Sequence, residues 1–130
     1  MRNKLVILLI ISGLVLFFGY IIKSKFEKIE FVIEKGLIDI GKVKKKDKSE
    51  AIFKIKNTGR KGLIIRNVIS DCHCTIPDWS SNVIKSGETY LLKVTYDNHK
   101  LGFFEQTVSV YIKGTKQVPL LIMRGTVVED

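Results

Sequence analysis

An all-β fold, an immunoglobulin-like two-sheet sandwich of about seven strands preceded by one N-terminal transmembrane helix, is predicted by three observations. The run Leu5 to Ile22 is apolar on every helical face, the chain from Glu30 onward alternates with a period of two, and turn residues punctuate that alternation at short intervals. The chain has 130 residues, 45% hydrophobic and 27% charged, which excludes a wholly disordered polymer and leaves room for a single soluble domain. Its two cysteines exclude a disulfide-rich miniprotein, so apolar burial must hold the fold. The formal charge of +9 makes it basic. The expected division is a short flank at 1–4, a transmembrane signal anchor at 5–22, a juxtamembrane linker at 23–29 and the sandwich at 30–130.

The segment Leu5 to Ile22 would extend about 27 Å as a helix, just enough to cross a bilayer. No A-x-A-like pair of small residues follows it, which favours an uncleaved anchor over a cleaved signal. Tyr20 suits the aromatic belt of the interface. Arg2 and Lys4 precede the run, while Lys23, Lys25 and Lys28 face Glu27 and Glu30 on its other side, so charge alone sets the orientation weakly. A short tail ahead of a first apolar segment is the arrangement of a signal anchor. The expectation is therefore a single pass through the cytoplasmic membrane, with the C-terminal domain on the periplasmic or extracytoplasmic side.

Within the domain, Phe31-Val32-Ile33 and Leu37 to Ile40 flank Gly36 as one bent strand closed by Gly41. Lys42 to Ser49 is a polar connection. Ala51, Phe53 and Ile55 alternate with Ile52, Lys54 and Lys56 as a half-buried strand, and Asn57-Thr58-Gly59 turns the chain. Leu63 to Ile69 is the next strand, followed from Ser70 to Gly87 by one long connection. Tyr90, Leu92, Val94 and Tyr96 alternate on one face, as do Phe104, Gln106, Val108, Val110 and Ile112 after the turn Asp97-Asn98-His99-Lys100. These two read as adjacent antiparallel strands. Lys113-Gly114-Thr115-Lys116 turns into a last strand, Val118 to Val128, with Pro119 near its edge. A barrel is the competing closure. The expected core includes Phe53, Ile55, Leu92, Val94, Val108 and Val110.

Several strings run in the order of a known family. They are Phe53-Lys54-Ile55-Lys56-Asn57-Thr58-Gly59, Leu63-Ile64-Ile65, Ser70-Asp71-Cys72-His73-Cys74-Thr75-Ile76-Pro77-Asp78-Trp79, Ser86-Gly87-Glu88 and Gly102-Phe103-Phe104. From about Gly36 to Val128 the chain resembles the bacterial DUF1573 family, a domain of unknown function. The resemblance implies an exported or membrane-anchored immunoglobulin-like domain, akin to cilium-associated and major-sperm-protein-like sandwiches, and implies no activity. Two positions depart from the family pattern. His73 stands where glycine separates the two cysteines, and Ser86 stands where proline opens a Pro-Gly-Glu turn.

Cys72 and Cys74 are the chemistry-bearing pair. On an extended strand their Cα atoms would lie about 6.6 Å apart, so a Cys72–Cys74 disulfide requires a turn. As thiolates, with His73, they could bind copper or half of a zinc site, but no third ligand is fixed by spacing and His99 is the only other histidine. Trp79 and Phe103 are candidate binding residues, each with a core-packing alternative. A cysteine nucleophile needs a base within reach, and His73 on the adjacent residue points away in an extended chain. No paired-carboxylate site, phosphate loop or H-E-x-x-H helix is present, so the sequence reads as no enzyme. The lysine run Lys42 to Lys48 lacks interleaved aromatics, and export removes nucleic acid as a partner. The partners expected are the cell membrane through Leu5 to Ile22 and a protein. The function expected is a binding or scaffolding module, with a copper(I)-binding or thiol-redox domain as the alternative.

Overall fold

The computed structural model describes residues 2–25, 28–97 and 99–129. Phe26 and Glu27 of the expected linker and Asn98 of the expected turn lie outside the described residues. Helix α1 spans Arg2–Lys25, and within it Asn3–Ile22 is long and apolar enough to cross a membrane by length and composition. None of that stretch is buried against the rest of the chain.

The remainder is β-structure: β1 (Phe31–Ile33), β2 (Leu37–Lys44), β3 (Lys48–Asn57), β4 (Leu63–Ser70), β5 (Thr75–Asp78), β6 (Val83–Ile84), β7 (Thr89–Asp97), β8 (Gly102–Ile112) and β9 (Leu120–Val128). They form a four-stranded sheet, β1-β3-β7-β5, and a five-stranded sheet, β2-β9-β8-β4-β6. The two sheets face each other as an immunoglobulin-like sandwich, not a barrel. Its core is the period-two face of each sheet. Phe53, Ile55, Leu92 and Val94 from one meet Leu63, Ile65, Val108, Val110, Leu121 and Met123 from the other. Tyr96 of β7 stacks on Phe104 of β8 across the gap, with ring centroids 4.1 Å apart.

Several expectations about strands are corrected. The bent first strand is two strands in different sheets, because the chain crosses the sandwich at Glu34 to Gly36; β1 pairs antiparallel with β3 and β2 pairs parallel with β9. The β2 strand also continues through Gly41 to Lys44, so only Lys45 to Asp47 remains as a tip. Next, β7 and β8 are not hydrogen-bonded neighbours. Both edges of β7 are taken by β3 and β5, and both edges of β8 by β9 and β4, so their apolar faces oppose each other across the core. Last, the long connection contains β5 and β6, and the final strand starts at Leu120 instead of Val118. Among the described residues the count is thus nine strands.

The β2–β9 pairing shifts register between Asp39 and Lys42, where Gly41 has φ +72°, a conformation that favours glycine. The Asp39 carboxylate holds this bulge. It accepts from Gly41 N–H at 3.0 Å and from Arg124 Nε at 3.0 Å, and these bonds, the Gly41 one first, keep its carboxyl below the usual aspartate value.

The sandwich has two distinguishable ends. Thr58 N–H and Gly59 N–H both donate to the Glu30 carbonyl, at 3.1 and 3.0 Å, so the chain arriving from α1 is fixed beside the β3–β4 turn. The β6–β7 turn lies at the same end, since Gly87 N–H donates to the Asn57 carbonyl at 2.8 Å. The β8–β9 loop joins it there, because Gly114 sits against the Ile29 side chain. This is the end at which α1 joins. At the far end lie the Lys45 to Asp47 tip, the β4–β5 connection and the β7–β8 loop. The ten residues of β3 run from one end to the other, about 30 Å.

Candidate functional site at the far end of the sandwich

Ser70 ends β4 and Thr75 begins β5, so Asp71 to Cys74 must carry the chain from the five-stranded sheet to the four-stranded one. The crossing is tight. Thr75 N–H donates to the Cys72 carbonyl at 3.1 Å, and the Ser70 hydroxyl lies 3.0 Å from the Cys72 carbonyl and 2.8 Å from that of Thr75. The turn brings the Cys72 and Cys74 Cα atoms to 5.2 Å, inside disulfide range, and their sulfurs are joined. Both flanks are tied to the sheets, through Asp71 N–H to the Thr107 carbonyl (3.1 Å) and Asp97 N–H to the Cys74 carbonyl (3.0 Å).

Behind the loop, Gln106 of β8 closes the gap between the sheets. Its Oε1 lies 3.4 Å from Thr75 Oγ1 and 4.0 Å from Cys74 Sγ. Sequence reasoning placed Gln106 on the core face of its strand without a partner; the polar loop opposite it supplies one.

His73 is exposed at the tip of the loop. His99, in the β7–β8 loop at the same end, is exposed too, with Nε2 2.9 Å from Asp97 Oδ2. Among the described residues no three His, Cys, Asp or Glu side chains converge as a metal set. While the disulfide is closed, Cys72 and Cys74 offer neither a thiolate ligand nor a nucleophile.

Phe103 opens β8 on the outer face of the five-stranded sheet and is 68% exposed, whereas Phe104 turns inward and is 6% exposed. Leu101 beside it is also exposed. Across Thr126 of β9, Phe103 shares its row with Lys42 of β2, and Lys44 lies in the next row opposite Val128. Glu105, two residues on along the same face of β8, is exposed as well, so the ring stands among charges of both signs. Trp79 is elsewhere. It follows β5, packs half-buried against the core, and is succeeded by Ser80, whose N–H donates to the Tyr90 hydroxyl at 2.8 Å. The far end therefore gathers the cysteine loop, both histidines, Phe103 and the lysine tip, and leaves Trp79 out.

The family model described as "Protein of unknown function (DUF1573)" matches residues 31–127, and the chain belongs to that family. Comparison with curated proteins finds no match. Among solved structures, the ASH / PapD-like domain of human CEP192 (PapD-like domain 7) superposes with a TM-score of 0.67 at 13% identity, covering 78% of this chain and 87% of that one. A protein of unknown function from Porphyromonas gingivalis W83 gives 0.63 at 15% identity over 77% of this chain and 46% of that one. The VesB protease of Vibrio cholerae gives 0.56 at 10% identity over 85% of this chain, but the match spans only 34% of the protease. At these identities the likeness establishes a PapD-like, immunoglobulin-like fold and nothing of activity.

Proposed function

We propose that the chain is a membrane-anchored binding module that holds its sandwich on the extracytoplasmic side and meets a protein partner with its far end. The observation that carries this reading is Phe103, at 68% the most exposed aromatic side chain among the described residues of the sandwich, at the end opposite to where α1 joins. An exposed aromatic beside Leu101, with Lys42 along its row and Glu105 on its own strand, suits a partner that presents an apolar side chain within a polar rim. Tethering through Asn3–Ile22 is supported by the length and apolar composition of that stretch.

In this reading the Cys72–Cys74 bridge braces the β4–β5 crossing and so fixes the loop nearest the partner. The alternative, copper(I) binding or thiol exchange, requires the bridge to open first and a third ligand to be recruited from outside the loop.

Site-specific photocrosslinking in native membranes tests the proposal. A photoreactive phenylalanine analogue at Phe103 should give a discrete adduct of fixed mass, and the same analogue at Ile52, exposed on the outer face of the other sheet, should give none. Equal adducts from both positions, or none from Phe103, would remove the far end as the contact surface.

A further inference from the structure

The end at which α1 joins, the anchor end of the proposal above, carries a set of cations that the binding reading does not use. Arg60 and Lys61 sit in the β3–β4 turn, Lys85 in the β6–β7 turn and Lys113 and Lys116 in the β8–β9 loop, with Lys28 just ahead of the sandwich; all are exposed. Among the described residues the carboxylates at this end are Glu30 and Glu88, whose Oε2 accepts from Lys85 N–H at 2.7 Å, and the sequence adds Glu27, so the cations outnumber the acidic groups. These loops come from widely separated parts of the chain, and the fold collects them around the point where the chain arrives from α1.

Connectivity then keeps them close to the end of α1. Helix α1 ends at Lys25, and Glu30 is held by Thr58 and Gly59, so the intervening chain reaches at most about 18 Å. Lys45 and Lys46 at the far tip lie about 30 Å beyond, several Debye lengths away at roughly 8 Å each. The basic run most conspicuous in the sequence is thus carried to the end opposite α1, and the cations scattered through the turns are gathered beside it.

We infer that the anchor-end loops form a basic collar that docks on anionic phospholipid head groups of the membrane that α1 enters. The inference rests on the anchored reading above. Such docking stands the sandwich upright and presents Phe103 outward. It does not depend on which leaflet the domain faces, because cationic side chains near any anionic bilayer surface are attracted to it.

The test uses the full chain reconstituted in two kinds of vesicle, phosphatidylcholine alone and phosphatidylcholine with about a third phosphatidylglycerol. Exposed lysines are acylated with a membrane-impermeant reagent and mapped by mass spectrometry, with Lys45 and Lys100 at the far end as internal references for accessible molecules. In the anionic vesicles Lys85, Lys113 and Lys116 should be modified about threefold or more slowly relative to those references, and high salt should abolish the difference. In a chain combining Arg60→Gln, Lys85→Gln, Lys113→Gln and Lys116→Gln, the protection remaining at Lys28 and Lys61 should disappear. Identical ratios in both lipids, or protection of the far-end lysines instead, would overturn the collar while leaving the anchor intact. A chain that fails to float with neutral vesicles would overturn the anchor, and the collar with it.

Discussion

Asn57 is 1% exposed, yet every polar atom of its side chain is used. Its Nδ2 donates to the carbonyls of Lys61 and Ile84, each at 2.8 Å, and its Oδ1 accepts from Gly59 N–H at 3.0 Å. Its backbone N–H donates to the Glu88 carbonyl at 2.9 Å. One side chain thus ties the β3–β4 turn to β6, beside the β6–β7 turn. Asn57→Ala should cost about 2–4 kcal/mol, because it leaves two carbonyls and an N–H without their partner, and a denaturant titration of the purified chain reads that loss directly. The N-T-G turn was legible from residue types alone. Its burial was not, since Ile84 and Glu88 lie far along the chain and nothing local announces them. The cysteine pair is similar: the spacing said that a bridge needs a turn, but the Ser70 hydroxyl bonds that help hold that turn depend on where β5 begins.

At the scale of elements, alternation reported which residues face the core and was silent on which strands pair. Phe53, Ile55, Leu92, Val94, Val108 and Val110 are all buried as the period-two pattern requires. The pairing of β7 with β8 was misread because two strands that oppose each other across a core show the same apolar period as two that share hydrogen bonds. Likewise, the bend at Gly36 was visible, but its consequence, a change of sheet, depends on β9 being there to pair with β2. Gly125 of β9 shows how close that approach is. A Cβ there would stand 2.9 Å from the Gly41 carbonyl oxygen and 2.8 Å from Ile40 Cγ1, so glycine lets β2 and Phe104 close over the strand. The face assignment of β3 has a direct check. Phe53→Ala should cost about 3–5 kcal/mol as a core cavity. Lys54→Ala, which removes only an exposed pairing with Glu34 at 3.3 Å, should cost less than about 1 kcal/mol in the same unfolding experiment.

For the molecule as a whole, the apolar helix, the sandwich and the family were all readable from the sequence, because each rests on a long pattern that survives local error. The arrangement of its surfaces was not. The lysine run from Lys42 to Lys48 drew notice as a block, although the fold carries its tip to the end away from α1, while turns that each contribute one or two cations assemble at the near end. Phe103 and Trp79 looked equivalent as candidate contacts and proved different, one standing out on an outer sheet face and one packed against the core. The partner surface depends on one premise, that the sandwich remains tethered outside the cytoplasm by an uncleaved helix; the basic collar needs only the tether. Fusing a reporter that is active only outside the cytoplasm after Asp130, and partitioning its activity between alkaline-washed membranes and the soluble fraction, measures that premise. The account predicts active reporter that stays with the membranes on a full-length chain; activity released on a shortened chain, or no activity at all, would contradict it.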